Sequence, residues 1–221
     1  MRRHILCLGD SNTHGYCADP GDCEDGPLLR FSERERWTCL LQEALGPEYL
    51  VIEEGLPGRT TVFDGPVCPG LRGLDYLIPC LKSHEPVSLL LLMLGTNDTK
   101  ERFSANACTI TKGMERLIRT AMQTDCWGPG GTPRILLMAP PVIGRGVYAS
   151  PVAMEMGAGC AEKSLALPGL YRALAASLDC SFLDANQAGA VCNEVDFMHL
   201  TAQGHRNLAR ALAGLIPGLL P

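Results

Sequence analysis

Short apolar runs alternate regularly with longer segments of helical spacing along this sequence. The apolar runs have the length of buried strands and lie at residues 5–8, 50–52, 89–94, 135–138 and 182–183. The segments with helical spacing lie at residues 33–45, 71–82, 110–122, 161–178 and 201–216. A connection between parallel strands needs a crossover, which is normally a helix. The alternation therefore predicts an α/β fold with one five-stranded parallel sheet covered by helices on both faces.

The same pattern indicates one domain. The chain has 221 residues, of which 46% are hydrophobic and 19% charged, and a chain of this length buries a complete core without disulfides or structural metal. Two long loops, residues 17–30 and 140–159, interrupt the alternation, but neither separates two complete cores. We therefore predict a single three-layer domain over residues 1–221.

Charge and hydropathy argue against two classes of partner. The net charge of −5 offers no positive excess to neutralise a phosphate backbone or an anionic membrane. The apolar run at residues 5–8 is too short for a secretory signal, and the longest run, residues 89–94, is too short to span a bilayer. We expect neither a nucleic acid nor a membrane partner, and a cytoplasmic location.

The cysteines are interpreted as free thiols. There are 11 of them, widely spaced and without a C-x-x-C pair, which favours unpaired cysteines in a reducing cytoplasm. A cysteine nucleophile or a zinc site would need clustered His or Cys partners, and the sequence does not suggest such a cluster. No metal and no other cofactor is expected.

Polar residues and glycines follow the predicted strands at the positions where ligands bind in open parallel sheets. The segment Gly9-Asp10-Ser11 follows the first strand, Gly58 the second and Asn97 the third. Asp196 and His199 lie just before the last predicted helix and can reach the same edge of the sheet. We therefore expect these side chains to converge.

This set supplies each group that acyl transfer needs. Ser11 would be the nucleophile, His199 its general base and Asp196 the group that orients the imidazole. The backbone N–H groups of Ser11 and Gly58 and the side-chain amide of Asn97 would stabilise the oxyanion. A glycine suits position 58 because its backbone can approach the substrate without a side chain.

The other histidines lack such partners in sequence. His205 lies inside the last predicted helix, where a solvated face is the simpler interpretation. His84 stands near a helix end, a common place for a surface imidazole. His14 is close enough to Ser11 in sequence to line the pocket.

Four sequence blocks together resemble the SGNH hydrolases, which are GDSL-type esterases. The blocks are Gly9-Asp10-Ser11, the Gly58 loop, Gly95-Thr96-Asn97-Asp98 and Asp196-x-x-His199. Further segments are similar to the small bacterial arylesterases and acyltransferases of that family, among them residues 36–38, 51–56, 59–61 and 93–100. The resemblance implies a flavodoxin-like sheet, a triad of Ser11, His199 and Asp196, and an oxyanion hole at Ser11, Gly58 and Asn97.

The sequence departs from close members of the family around the nucleophile. Asn12 replaces the usual Leu, Tyr16 stands where a Trp is frequent, and Gly58 stands where some members have Ala. These departures concern the substrate pocket, to which we assign Asp10, Asn12 and Tyr16. The two long loops match in position the loops that relatives use to narrow the channel and to pack subunits, so a homo-oligomer, from dimer to octamer, is expected.

The predicted activity is hydrolysis of small, short-acyl carboxylic esters through an acyl-enzyme, with acyltransferase or perhydrolase side activity. A carbohydrate O-acetyl esterase of the same fold is the alternative. A non-catalytic nucleotide-binding module is a third hypothesis, but the loop after the first strand has neither the P-loop nor the dinucleotide-binding glycine spacing, and Asp10 would repel a phosphate. An α/β-hydrolase is disfavoured because no G-x-S-x-G elbow occurs.

Overall fold

The three-dimensional structure is a computed structural model that describes residues 2–23, 29–65, 67–128 and 130–220. Residues 24–28 of the predicted loop 17–30 lie outside these ranges, as do both terminal residues of the predicted domain 1–221. The strands are β1 (Arg3–Gly9), β2 (Tyr49–Gly55), β3 (Val87–Met93), β4 (Ile135–Ala139) and β5 (Ser181–Asp184). Within the described residues they form a five-stranded parallel sheet in the order β2-β1-β3-β4-β5.

Helices connect the strands and pack against the sheet. They are α1 (Ser11–His14), α2 (Trp37–Leu45), α3 (Gly73–Ser83), α4 (Ala107–Gln123), α5 (Ala153–Met156), α6 (Cys160–Ser177) and α7 (Ala202–Leu215). Each predicted strand and each predicted long helix has its counterpart, so the predicted α/β fold is confirmed. The short helices α1 and α5 were not predicted, because a single turn carries no helical periodicity.

Both faces of the sheet are buried because successive side chains of a strand point to opposite sides. From β1, Leu6 and Leu8 pack into a cluster with apolar side chains of α3, α4 and α6. Ile5 and Cys7 face the other way, into a cluster with α2 and α7. These two clusters make the three layers.

The carboxyl end of β1 lies between the ends of β2 and β3. Gly9 pairs with Gly55 of β2 on one side and with Met93 of β3 on the other, so the loops after these three strands are neighbours. A Cβ atom on Gly55 would lie 2.1 Å from the backbone nitrogen of His14. Glycine at this position therefore allows α1, which begins at Ser11, to pack directly on the end of β2.

Two helices begin three residues or more from the predicted position. α2 begins at Trp37 and not at residue 33, because Ser32 to Arg36 form turns in which the Glu35 carboxylate accepts a hydrogen bond from the Ser32 N–H. α4 begins earlier than residue 110, because Asn106 caps it by accepting a hydrogen bond from the Thr109 N–H at 2.9 Å. Local side-chain bonds, and not the apolar period, decide both ends.

The prediction of a solvated His205 is wrong. The residue is fully buried, its Nδ1 accepts a hydrogen bond from the Trp37 N–H at 3.2 Å, and its ring packs edge-on against Phe31 at 4.8 Å. Burial, with Arg36 nearby, lowers the pKa of His205 to about 3, so the imidazole is neutral. The cause is the packing of α2 on α7, which covers this face.

The prediction that all cysteines are free is wrong at one pair. A turn at Pro20–Asp22 brings the Cα atoms of Cys17 and Cys23 to 6.6 Å, and the two residues form a disulfide. The other nine cysteines, all within the described ranges, are free thiols. The cytoplasmic location, which was inferred partly from free cysteines, stays a prediction. Among the described helices, none is both long and apolar enough to cross a membrane.

Candidate active site

Ser11 stands at the first position of α1, directly beyond the end of β1. Asp10 caps this turn, accepting a hydrogen bond from the Asn12 N–H at 3.0 Å. The Ser11 hydroxyl lies 2.7 Å from Nε2 of His199, which approaches from the segment before α7. A serine and an imidazole that are distant in sequence are therefore in hydrogen-bond contact.

Asp196 completes a chain of hydrogen bonds with these two residues. Its Oδ2 lies 2.5 Å from Nδ1 of His199, while its Oδ1 accepts bonds from the Met198 and His199 N–H groups. Burial alone would raise the pKa of Asp196, but the bonds from His199 and the backbone lower it below its ordinary value. An ionised carboxylate favours the tautomer with the proton on Nδ1, in which Nε2 can accept a hydrogen bond from the Ser11 hydroxyl.

Asn193 organises the turn that carries this pair, and no sequence motif pointed to it. Its side-chain oxygen accepts bonds from the N–H groups of Val195 and Asp196. Its side-chain nitrogen donates to Asp196 Oδ1 at 3.1 Å and to the His199 carbonyl at 2.8 Å. Asn193 thus holds both ends of the turn from Asp196 to His199.

Asn12 and Asp10 lie behind Ser11 and do not line the cleft, so the prediction that they bind substrate is wrong. Asn12 is buried; its amide donates to the Met198 carbonyl at 3.1 Å and accepts from the Leu200 N–H at 3.0 Å. These bonds bracket His199 from both sides. The tight turn of α1 directs these side chains inward, whereas Tyr16, also assigned to the substrate pocket, lines the cleft and packs against the His199 ring at 4.6 Å.

Gly58 and Asn97 line the cleft beside Ser11. Gly58 adopts a φ of +86°, and an added Cβ there would lie 2.9 Å from Leu71 Cδ1, so this backbone conformation favours glycine. The Asn97 side chain donates one hydrogen bond to the Arg59 carbonyl at 3.2 Å. Because an amide NH₂ carries two donors, the second is available to a ligand.

The next residue, Asp98, ties the two loops that carry these groups together. It is fully buried, and its Oδ1 accepts hydrogen bonds from the N–H, at 2.9 Å, and the hydroxyl of Thr61. Its Oδ2 has no hydrogen-bond partner among the described residues. Burial, and to a smaller extent the Asp10 charge, raise the pKa of Asp98 to about 6.

We predict that Asp98→Asn stabilises the protein at high pH. Because the folded-state pKa is raised, ionisation of Asp98 removes stability as the pH rises through about 6, whereas Asn keeps the Oδ1 acceptor and never ionises. The variant should unfold on the order of 5 °C higher than the native protein at pH 8, with a smaller gain at pH 5. Thermal unfolding followed by circular dichroism checks this, and a gain that is equal at both pH values would contradict it.

The cleft in front of Ser11 has a volume of about 180 Å³. One wall comes from the predicted loop 140–159, through Val152, Glu155 and Met156. Lys100 is almost fully buried at this wall and pairs with Glu155 at 2.8 Å, and Arg102 also bonds Glu155. The sequence did not point to these charges, because residues so far apart meet only through the fold.

Comparisons with known proteins identify similar sequences and structures. The family model described as GDSL-like Lipase/Acylhydrolase matches residues 7–206. An aryl esterase structure from M. smegmatis is 37% identical with a TM-score of 0.85, covering 99% of this chain and 100% of that one. A carbohydrate acetylesterase from Sinorhizobium meliloti is 36% identical with a TM-score of 0.87, at 99% and 100% coverage.

A more distant structure shares the fold alone. The lipase/acylhydrolase from Enterococcus faecalis is 20% identical with a TM-score of 0.68, covering 99% of this chain and 97% of that one. No curated protein sequence matches the chain. Because the family model spans most of the sequence, the chain belongs to the GDSL-like lipase/acylhydrolase family and is an esterase.

Proposed function

We propose that this esterase cleaves small carboxylic esters through an acyl-enzyme on Ser11, with His199 as general base and Asp196 as its orienting partner. The observation that carries the proposal is the unbroken chain of contacts from Ser11 Oγ to His199 Nε2 at 2.7 Å and from His199 Nδ1 to Asp196 at 2.5 Å. Ser11, at one end of this series of contacts, lines a cleft that Gly58 and Asn97 also line.

In the first half of the reaction Ser11 Oγ attacks the ester carbonyl carbon, and His199 Nε2 takes the hydroxyl proton. The carbonyl oxygen becomes an oxyanion, which accepts hydrogen bonds from the Ser11 and Gly58 N–H groups and the free donor of Asn97. The tetrahedral intermediate collapses, His199 returns the proton to the departing alcohol, and the acyl group stays on Ser11.

In the second half, water enters where the alcohol left. His199 removes a proton from the water, whose oxygen attacks the acyl carbon; collapse releases the acid and restores the Ser11 hydroxyl. The Asp196 carboxylate stabilises the imidazolium that forms in each half. Its lowered pKa, which follows from the His199 and backbone hydrogen bonds that outweigh the effect of burial, keeps it ionised at neutral pH.

The size of the cleft supports a short acyl group. Its volume is about 180 Å³. Apolar side chains of Val152, Met156 and Met198 line it, so a small alkyl chain is desolvated there.

Hydrolysis of p-nitrophenyl esters should therefore fall steeply from acetate to longer chains, measured with Ser11→Ala as the blank.

The second candidate, deacetylation of carbohydrates, rests on the polar side of the cleft. Lys100 and Glu155 line it together, and such groups suit a hydroxyl-rich alcohol. The similarity to a carbohydrate acetylesterase supports the same class. Acetylated sugars assayed beside aryl acetates decide between the candidates: higher kcat/KM for the sugar esters favours deacetylation.

We further propose that alcohols and peroxide compete with water for the acyl-enzyme. The apolar wall formed by Val152, Met156 and Met198 lowers the water content around Ser11. Acyl transfer is measured as ester exchange in the same assays.

Replacing Asn97 by Ala should lower kcat by about 10² to 10³ with little change in KM, because an oxyanion donor acts mainly in the transition state. Steady-state kinetics on the preferred aryl ester check this. Asn106→Ala, which removes the cap of α4 outside the site, is the matched control and should leave kcat unchanged. An effect confined to KM would make Asn97 a substrate-binding residue instead.

We also propose that the chain forms a homo-oligomer through the segment 140–159. Part of this segment packs on its own chain, since Ile143, Val147 and Met156 share a buried cluster with Met198. Met154, however, is 100% exposed on α5. Tyr148 of the same segment is exposed as well, and two exposed large hydrophobic side chains in one segment support a subunit contact there.

Light scattering is expected to give a mass that is a multiple of 23.8 kDa for the native protein. Met154→Lys should shift this mass toward the monomer, because a charge would be buried in the contact. Gln203→Lys changes an exposed polar side chain on α7 and should have no effect. A monomer at micromolar concentration with unchanged preference for short esters would show that the segment works within one chain.

A further inference from the structure

A second cluster of reactive side chains lies between the edge strand β2 and helix α3. Tyr76, Cys80 and His84 follow one another at intervals of four residues, so they lie along one face of α3 and its C-terminal end. Glu54 of β2 faces this row: its Oε2 accepts a hydrogen bond from the Tyr76 hydroxyl at 2.9 Å, and its Oε1 lies 2.8 Å from His84 Nε2. None of these residues lines the cleft at Ser11.

Three of these side chains offer one metal ligand each at close range. The ligand atoms of Glu54, Cys80 and His84 all lie within 4.8 Å of one another. Around a tetrahedral Zn²⁺ such atoms are about 3.5 Å apart, so shifts of about 1 Å bring them to one ion. The sequence did not suggest a metal cluster, because Glu54 is distant from the other two residues along the chain.

We propose that Glu54, Cys80 and His84 form a binding site for Zn²⁺ or a similar divalent transition metal, with water as the fourth ligand. A thiolate, an imidazole and a carboxylate are the ligands that zinc prefers. The Cys80 thiol releases its proton to solvent when it binds the ion. The ion would join β2 to α3 and is not part of the esterase reaction.

Access and charge fit this assignment. Cys80 is buried beneath the cluster, but the side chains of His84 and Glu54 are 30% and 18% exposed, so an ion reaches the site from solvent. The Arg59 guanidinium, stacked over the Tyr76 ring at 4.9 Å, is the nearby positive charge. The two negative charges of the Glu54 carboxylate and the bound thiolate exceed it, which keeps the site attractive to a cation.

Cobalt(II) chloride is the probe, because Co²⁺ bound by a thiolate gives a charge-transfer band in the near ultraviolet. Titration of the 221-residue chain, kept with its disulfide intact, should produce this band and tetrahedral ligand-field bands. Zinc chloride should remove them, since Zn²⁺ binds such ligands more tightly. Zn²⁺ should also raise the unfolding temperature.

Variants assign the signal to these residues. Cys80→Ser should abolish the charge-transfer band, and His84→Gln, which changes a partly exposed side chain, should weaken Co²⁺ binding by at least about tenfold. Cys108→Ser removes an exposed thiol elsewhere and should change neither. The absence of a charge-transfer band in the native protein, or a band that persists in Cys80→Ser and disappears in Cys108→Ser, would overturn the proposal.

Discussion

Ser11→Ala and His199→Ala are each expected to lower kcat for a p-nitrophenyl ester by roughly 10⁵ to 10⁶, because the proposed mechanism makes the two residues one proton-transfer unit. The hydrogen bond of 2.7 Å between Ser11 Oγ and His199 Nε2 is the reason. The double variant should be no slower than either single one. Steady-state rates and circular dichroism spectra of the three proteins test this expectation.

A serine-directed phosphonate is the independent test of the nucleophile. It should label Ser11 in the native protein, as peptide mass spectrometry would report, and leave Ser11→Ala unlabelled. The control is Ser164→Ala, which removes a buried hydroxyl outside the cleft that bonds the Ile143 N–H at 3.0 Å. Full activity in purified Ser11→Ala would show that Ser11 is not the nucleophile.

Asp196→Asn is expected to lower kcat by about 10⁴. An amide donor in place of Oδ2 would face Nδ1 of His199, 2.5 Å away, and would move the imidazole proton to Nε2. His199 could then no longer accept the Ser11 proton. The loss should exceed that in Asn97→Ala.

A second buried carboxylate serves as the control for Asp196. Asp184 ends β5, and its Oδ1 accepts hydrogen bonds from the backbone and side chain of Asn186. Asp184→Asn therefore makes the same chemical change in a strand-end turn away from the cleft, and it should leave kcat within about twofold. Equal losses of kcat in the two variants would show that Asp196 is needed for stability alone.

The fold was predictable because its determinants are local. Each apolar run predicted a strand, and the helical segments between the runs required parallel connections. The position of the site followed from the same logic, since Gly9, Gly55 and Met93 end adjacent strands and bring their loops together.

Other features depend on contacts between distant segments. The periodicity of α7 does not reveal that α2 supplies a backbone donor to His205. In the same way, Asn12 is next to Ser11 in sequence, yet its amide bonds the Met198 carbonyl and the Leu200 N–H. Its nearness to Ser11 in sequence therefore led to the wrong prediction that Asn12 lines the substrate pocket.

Asn12 forms hydrogen bonds to the residues on both sides of His199. These bonds link the proposed esterase activity to complete folding of the chain. Ser11 and His199, the proposed nucleophile and base, are 188 residues apart, and the Met198 carbonyl and Leu200 N–H reach Asn12 only after β1 and α7 have docked. A partly folded chain that had formed the central strands but had not docked its last segment would hold Ser11 without its proposed base. On the proposed mechanism such a chain would not cleave esters, so activity would require that both ends of the chain have met.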